Sequence, residues 1–124
     1  MKFVVALLLA ALALAGCTAP VAEIDPLLVF TQASTTRTDT MTIYPDGQTE
    51  MNHGGYIERL TFDPAVMDVL RAALAAASVG PVAPGGEPRY ELTLPTESDT
   101  PRAIDGTSAL GVLLRALLER HATH

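Results

Sequence analysis

Apolar positions recur with two different periods along this chain, and each change of period marks an element. Residues Phe3 to Ala15 form an uncharged apolar run behind Lys2 that ends in small residues. Its thirteen positions fall short of the about 20 that a helix needs to cross a bilayer, and the layout predicts a secretory signal peptide. Thr18 to Pro26, with two prolines, small residues and two acids, reads as a tether. Leu27-Leu28-Val29-Phe30 is a short run rich in strand formers, and the polar stretch Thr31 to Asp39 predicts a loop after it. Met41 to Tyr44 alternates before Pro45-Asp46-Gly47, and Gln48 to Asn52 follows. Asp-Gly between two alternating runs is a hairpin signal, because glycine supplies the positive φ that the turn requires. A third extended run, Tyr56 to Phe62, follows His53-Gly54-Gly55, with Leu60 and Phe62 toward the core and Arg59 and Thr61 outward.

The period then becomes helical. Asp63-Pro64 predicts a helix start, with Asp63 capping the free amides, proline at the first helical position and Phe62 and Met67 placed as a hydrophobic staple. Val66, Leu70, Ala73, Leu74 and Ala77 form its apolar stripe, and the helix is expected to stop near Gly80. Gly80 to Pro88 reads as a loop. Tyr90, Leu92 and Leu94 alternate with Glu91 and Thr93 as a half-buried strand, and Thr96 to Pro101 turns the chain into a brief extended piece at Arg102 to Ile104. Leu110, Leu113, Leu114, Leu117 and Leu118 mark a closing helix, capped by Asp105, Thr107 or Ser108, in which Gly111 suggests close packing against a strand. The order predicts an α+β fold: a small, largely antiparallel sheet with two helices packed on one face, preceded by a signal peptide. The expected divisions are 1–16 signal peptide, 17–26 lipidated tether, 27–120 a single α+β domain and 121–124 a disordered tail.

Leu14-Ala15-Gly16-Cys17 sharpens the first of these expectations, because it resembles the bacterial lipobox. That resemblance implies diacylglycerol on the Cys17 thiol, cleavage between Gly16 and Cys17, and usually acylation of the new amino terminus. Thiolate nucleophilicity is the physical reason for a cysteine there. Two or three acyl chains, at about 0.8 kcal/mol per buried methylene, would hold the chain to a membrane. Cys17 is the only cysteine, so no intramolecular disulfide framework is available.

Charge removes further possibilities. The 124 residues carry eight Lys and Arg against fourteen Asp and Glu, and cleavage after Gly16 takes away Lys2, the only lysine. Seven arginines then face fourteen acids, a balance that argues against nucleic acid and against electrostatic binding to anionic lipid. Membrane contact is therefore expected through the anchor on Cys17. The site is the extracytoplasmic face of the cell membrane or of an outer membrane, and Thr18 is not the aspartate that retains many lipoproteins in an inner membrane.

Catalytic signatures are sparse: there is no Gly-x-Ser-x-Gly elbow, His-Glu-x-x-His pair or phosphate-binding glycine loop. His53, in Asn52-His53-Gly54-Gly55, is placed to be shown to a ligand or metal by a loop, or to be a solvated turn residue. His121 and His124 share a helical face only if the last helix continues, and otherwise belong to a frayed tail. Asp63, Asp68, Asp99 and Asp105 read as caps, solvated face and turns. Ser34 to Thr40 is a polar stretch with five hydroxyls, open to partner binding or simply solvated.

Leu60-Thr61-Phe62-Asp63 leading into an alanine- and leucine-rich helix, a glycine/proline loop, the strand Arg89 to Leu94 and the leucine helix Leu110 to Leu118 together resemble a group of small bacterial proteins. That group includes the emfourin-type inhibitors of thermolysin-like metalloproteases. This chain departs from it in the hairpin around Asp46-Gly47 and in the short stretch between Leu94 and the last helix. The resemblance implies an α+β fold and, as one form of function, protease inhibition, with no inhibitory residue carried to a position here. The expectation is a non-enzymatic lipoprotein without cofactor or metal, whose domain binds an envelope protein or protease. The alternative is a small-molecule or metal-binding lipoprotein using the His53 loop.

Overall fold

The computed structural model describes residues 24–77 and 87–121. The expected signal peptide, cleavage site and lipidated Cys17 lie outside them, as do most of the Gly80 to Pro88 loop and the last three residues. Among these residues six strands and two helices follow one another: β1 Leu28–Ala33, β2 Thr38–Ile43, β3 Gln48–His53, β4 Tyr56–Thr61, α1 Pro64–Ala76, β5 Arg89–Thr93, β6 Arg102–Ala103 and α2 Ala109–His121. Every strand pairing is antiparallel, in the order β4-β3-β2-β1-β5-β6. The α+β class read from the pattern is the observed one.

The register explains why the alternation is strict. Residues directly opposite in an antiparallel sheet point to the same face, so Met51, Met41, Phe30 and Leu92 form one row across four strands. Leu60, Thr49, Ile43 and Leu28 form the row beside it. Both rows join a single apolar cluster with Met67 and Leu70 of α1 and Leu110, Leu114 and Leu118 of α2. The helices thus cover the face that carries those residues. The opposite face bears Thr31, Thr40, Thr42, Glu50, Asn52 and Thr93, which removes any need for a second layer.

Local chemistry sets the joints. Gly47, at φ +92°, closes the β2–β3 turn by donating its N–H to the Tyr44 carbonyl. Gly54 and Gly55, at φ +65° and +111°, make the two-residue β3–β4 turn, where two successive positive φ values are needed. Ser108 starts α2: its Oγ accepts the Gly111 N–H at 3.1 Å and donates to the Asp105 carbonyl at 2.6 Å. Tyr90 stacks on Phe30 with ring centroids 6.0 Å apart, and the Arg115 guanidinium lies 5.3 Å from the Tyr90 centroid.

Several expectations need correction. The segment Thr31 to Asp39 is not a loop, because β1 runs to Ala33 and β2 begins at Thr38. Polar residues there alternate between the two sheet faces, so a strand with an open face looks like a loop in sequence. Asp63 has extended backbone before α1 but makes no side-chain cap bond, and its carbonyl accepts the Met67 N–H. The helix ends at Ala76, earlier than Gly80. Gly111 packs against the Asp105-Gly106 turn and not against a strand. His121 closes α2 and is not part of a tail.

Candidate functional site

His53 is the last residue of β3, and its register position places it on the helix-covered face. The ring is 5% exposed, which excludes the expected presentation by a loop. Asp39, directly opposite on β2, holds Oδ1 4.0 Å from His53 Nδ1, and Glu58 of β4 holds Oε2 3.6 Å from Nε2. Neither separation is a hydrogen bond. Arg37 neutralises Asp39 through Nε at 2.7 Å. The two carboxylates address opposite ring nitrogens, so they do not converge on one point where an ion could sit. Among the described residues no group of three or more His, Cys, Asp or Glu is arranged to hold a metal.

The Ser34 to Thr40 stretch divides in two. Ser34 to Arg37 is a turn whose hydroxyls serve the chain itself: Ser34 Oγ accepts the Arg37 N–H at 3.2 Å and donates to the Arg37 carbonyl at 3.1 Å, and Thr35 donates to Glu87 at 3.2 Å. Thr38, Asp39 and Thr40 belong to β2. A shallow polar depression lies beside the turn, bounded by Thr36, Arg37, Thr40, Asn52, His53 and Gly54. Asp63, Asp68, Asp99 and Asp105 are all exposed and lie on separate turns and on the solvent side of α1.

The open edge of the sheet offers a different surface. β4 is an outer strand, and among the described residues no strand pairs with its far side. Six residues at about 3.3 Å each make it roughly 20 Å long. Its backbone polarity follows from the hairpin: the turn makes His53 and Tyr56 the first bonded pair, and the Phe62 N–H bond to the Gly47 carbonyl shows the same alternation at the other end. Tyr56, Glu58 and Leu60 therefore turn their amides and carbonyls toward β3, whereas Ile57, Arg59 and Thr61 turn theirs away. The opposite edge, β6, spans only Arg102–Ala103 and offers no comparable length.

Side chains on β4 make that edge accessible. Tyr56 is 61% and Ile57 48% exposed, both large apolar groups left in water. Arg59 is 76% exposed and leans toward Glu50, its cross-strand neighbour, with Nε 3.3 Å from the carboxylate. A solvated pair of this kind holds little energy and leaves the guanidinium free to meet another acid. An open groove lined by Tyr44, Gln48, Glu50, Arg59 and Thr61 runs beside the strand's end. The alternation of Tyr56 to Phe62 reveals the strand in sequence. That it is an edge follows only from β5 joining the sheet beside β1 and not beside β4, a pairing across the whole domain. Comparison with family models, with curated proteins and with solved structures found no match.

Proposed function

We propose that this chain is a lipid-anchored envelope protein, attached to a membrane through acyl groups on Cys17, whose α+β domain binds another protein without catalysing a reaction. The observation that carries the binding reading is the β4 edge, where the outward backbone groups of Ile57, Arg59 and Thr61 meet no further strand among the described residues and the exposed Tyr56 and Ile57 lie along the same strand. An extended segment of a partner can add to such an edge as a further strand, with backbone bonds supplying affinity and alternate side chains supplying selectivity. A protease held by its inhibitor is one form of such a complex. The buried His53 does not favour the small-molecule or metal-binding alternative. Leu28 and Gln48 begin their strands at the end of the sheet opposite the Gly54-Gly55 turn.

Two measurements test the reading separately. Metabolic labelling with a radioactive fatty acid is expected to mark the wild-type chain and not Cys17→Ala, and equal labelling of both rejects the anchor. Affinity capture from envelope extract is expected to retain a defined protein on the wild type and to lose it on Ile57→Pro. The proline removes an outward amide at an edge position where proline is otherwise tolerated. Capture unaffected by that substitution rejects β4 as the binding element.

A further inference from the structure

The charges on β4 constrain what can pair with it. Two copies joined by a two-fold axis would bring their β4 strands together antiparallel. For the outer faces to form one continuous sheet, the bonded pairs must be drawn from the outward-turned residues Ile57, Arg59 and Thr61. Of the registers that satisfy this condition, two give the longest overlap. One sets Ile57 opposite Thr61 and Arg59 opposite Arg59 of the second copy. The other sets Ile57 opposite Arg59 and Glu58 opposite Glu58. Each places like charges directly across a strand pair, which is destabilising, and in the second the facing carboxylates are the half-buried ones beside His53. Shorter registers leave half of the edge or more unpaired. The strand is thus protected against its own copy, the commonest hazard of an exposed edge.

We infer that the β4 edge selects a segment of a different protein, antiparallel and extended, with an acidic residue opposite Arg59 and an apolar residue opposite Ile57. The inference rests on the reading of β4 as a docking edge and adds its selectivity. On the open face Arg59 stands beside Glu50 of β3. An incoming glutamate would occupy the empty position on the other side of Arg59 and continue an alternation of sign across three strands. A β-branched residue opposite Ile57 would cover apolar surface that is now in water. Read from its amino end, the partner segment therefore runs polar, any, acidic, any, apolar.

The test uses the full-length chain in detergent, isotope-labelled, titrated with the acetylated and amidated hexapeptide Thr-Val-Glu-Thr-Val-Thr and with its counterpart bearing lysine for glutamate. Amide shifts of Ile57, Arg59 and Thr61 report docking. The glutamate peptide is expected to bind about fivefold more tightly, the size of a cross-strand charge preference, and Arg59→Glu is expected to invert the order. N-methylation of the peptide's third and fifth amides, which face β4, is expected to abolish binding, whereas methylation of the second and fourth is not. Those peptide variants leave the protein untouched, so a folding defect cannot imitate the result. Equal affinity of the two peptides overturns the charge selection and leaves the docking edge standing. Binding of neither at millimolar peptide, or indifference to N-methylation, overturns both. A dimer seen by native mass spectrometry that Ile57→Pro dissociates overturns the exclusion of a second copy.

Discussion

Gly47 ties turn chemistry to the core. A β-carbon there would lie 2.7 Å from the Phe62 carbonyl oxygen and 3.5 Å from Met67 Cγ, at a φ that side chains rarely adopt. Gly55 has a φ of +111° but nothing within 4 Å of the same position. The two therefore separate backbone strain from collision. Gly47→Ala is expected to lose about 2–3 kcal/mol in urea unfolding, and Gly55→Ala about 1 kcal/mol. A larger loss at Gly55 contradicts the placement of Gly47 against Phe62. Asp105 gives a pH signature at the same scale. Its carboxylate accepts the Thr107 hydroxyl at 2.7 Å and the Thr107 N–H at 2.8 Å, and these bonds hold its pKa below the usual aspartate value. A group with a depressed folded pKa stabilises the fold above its unfolded pKa, about 3.9, and loses that contribution as pH falls through the lower folded value. Asp105→Asn is expected to flatten this part of the acid limb, read as the change of unfolding midpoint between pH 5 and pH 2. An unchanged slope rejects the assignment.

Among the elements, α2 shows how a rule of thumb can reverse sign. Replacing a glycine within a helix by alanine usually gains up to about 1 kcal/mol. At Gly111, however, the added carbon would run into the Asp105 carbonyl and lie 2.9 Å from the Gly106 Cα. Gly111→Ala is expected to destabilise the domain, and a rise in the unfolding midpoint contradicts the close approach of the helix to its own leading turn. The sequence shows that this glycine is an exception within a leucine helix, but not what it touches. Strand boundaries have the same limit. Thr31, Gln32, Thr38 and Asp39 read as loop because polar residues occupy the open face of β1 and β2 and even parts of the covered one. Their extended conformation is imposed by ladder bonds to neighbouring strands. For β4, alternation identifies the strand, while its unpaired side depends on which strand lies next to which.

For the molecule as a whole, one apolar layer between the sheet and two helices supplies the stability, as expected of a chain with a single cysteine. Phe30 is at its centre, fully buried, between Met41 and Leu92 in register and stacked on Tyr90. Phe30→Ala is expected to cost about 3–5 kcal/mol by denaturant unfolding, a large share of the 5–15 kcal/mol typical of a domain. A loss below 1 kcal/mol contradicts a central position. By itself the sequence determined the α+β class, the hairpin at Asp46-Gly47, both helices and the part of the core carried by the helices and by Phe62 and Leu92, because burial of one face imposes a period of two on strands and of about 3.6 on helices. Only the tertiary structure decided that His53 is enclosed by Asp39 and Glu58, that Gly111 meets Asp105, and that β4 is the outermost of the described strands. The first and last depend on strand order and the second on how the 105–108 turn folds back on its helix, and a period along the chain encodes neither.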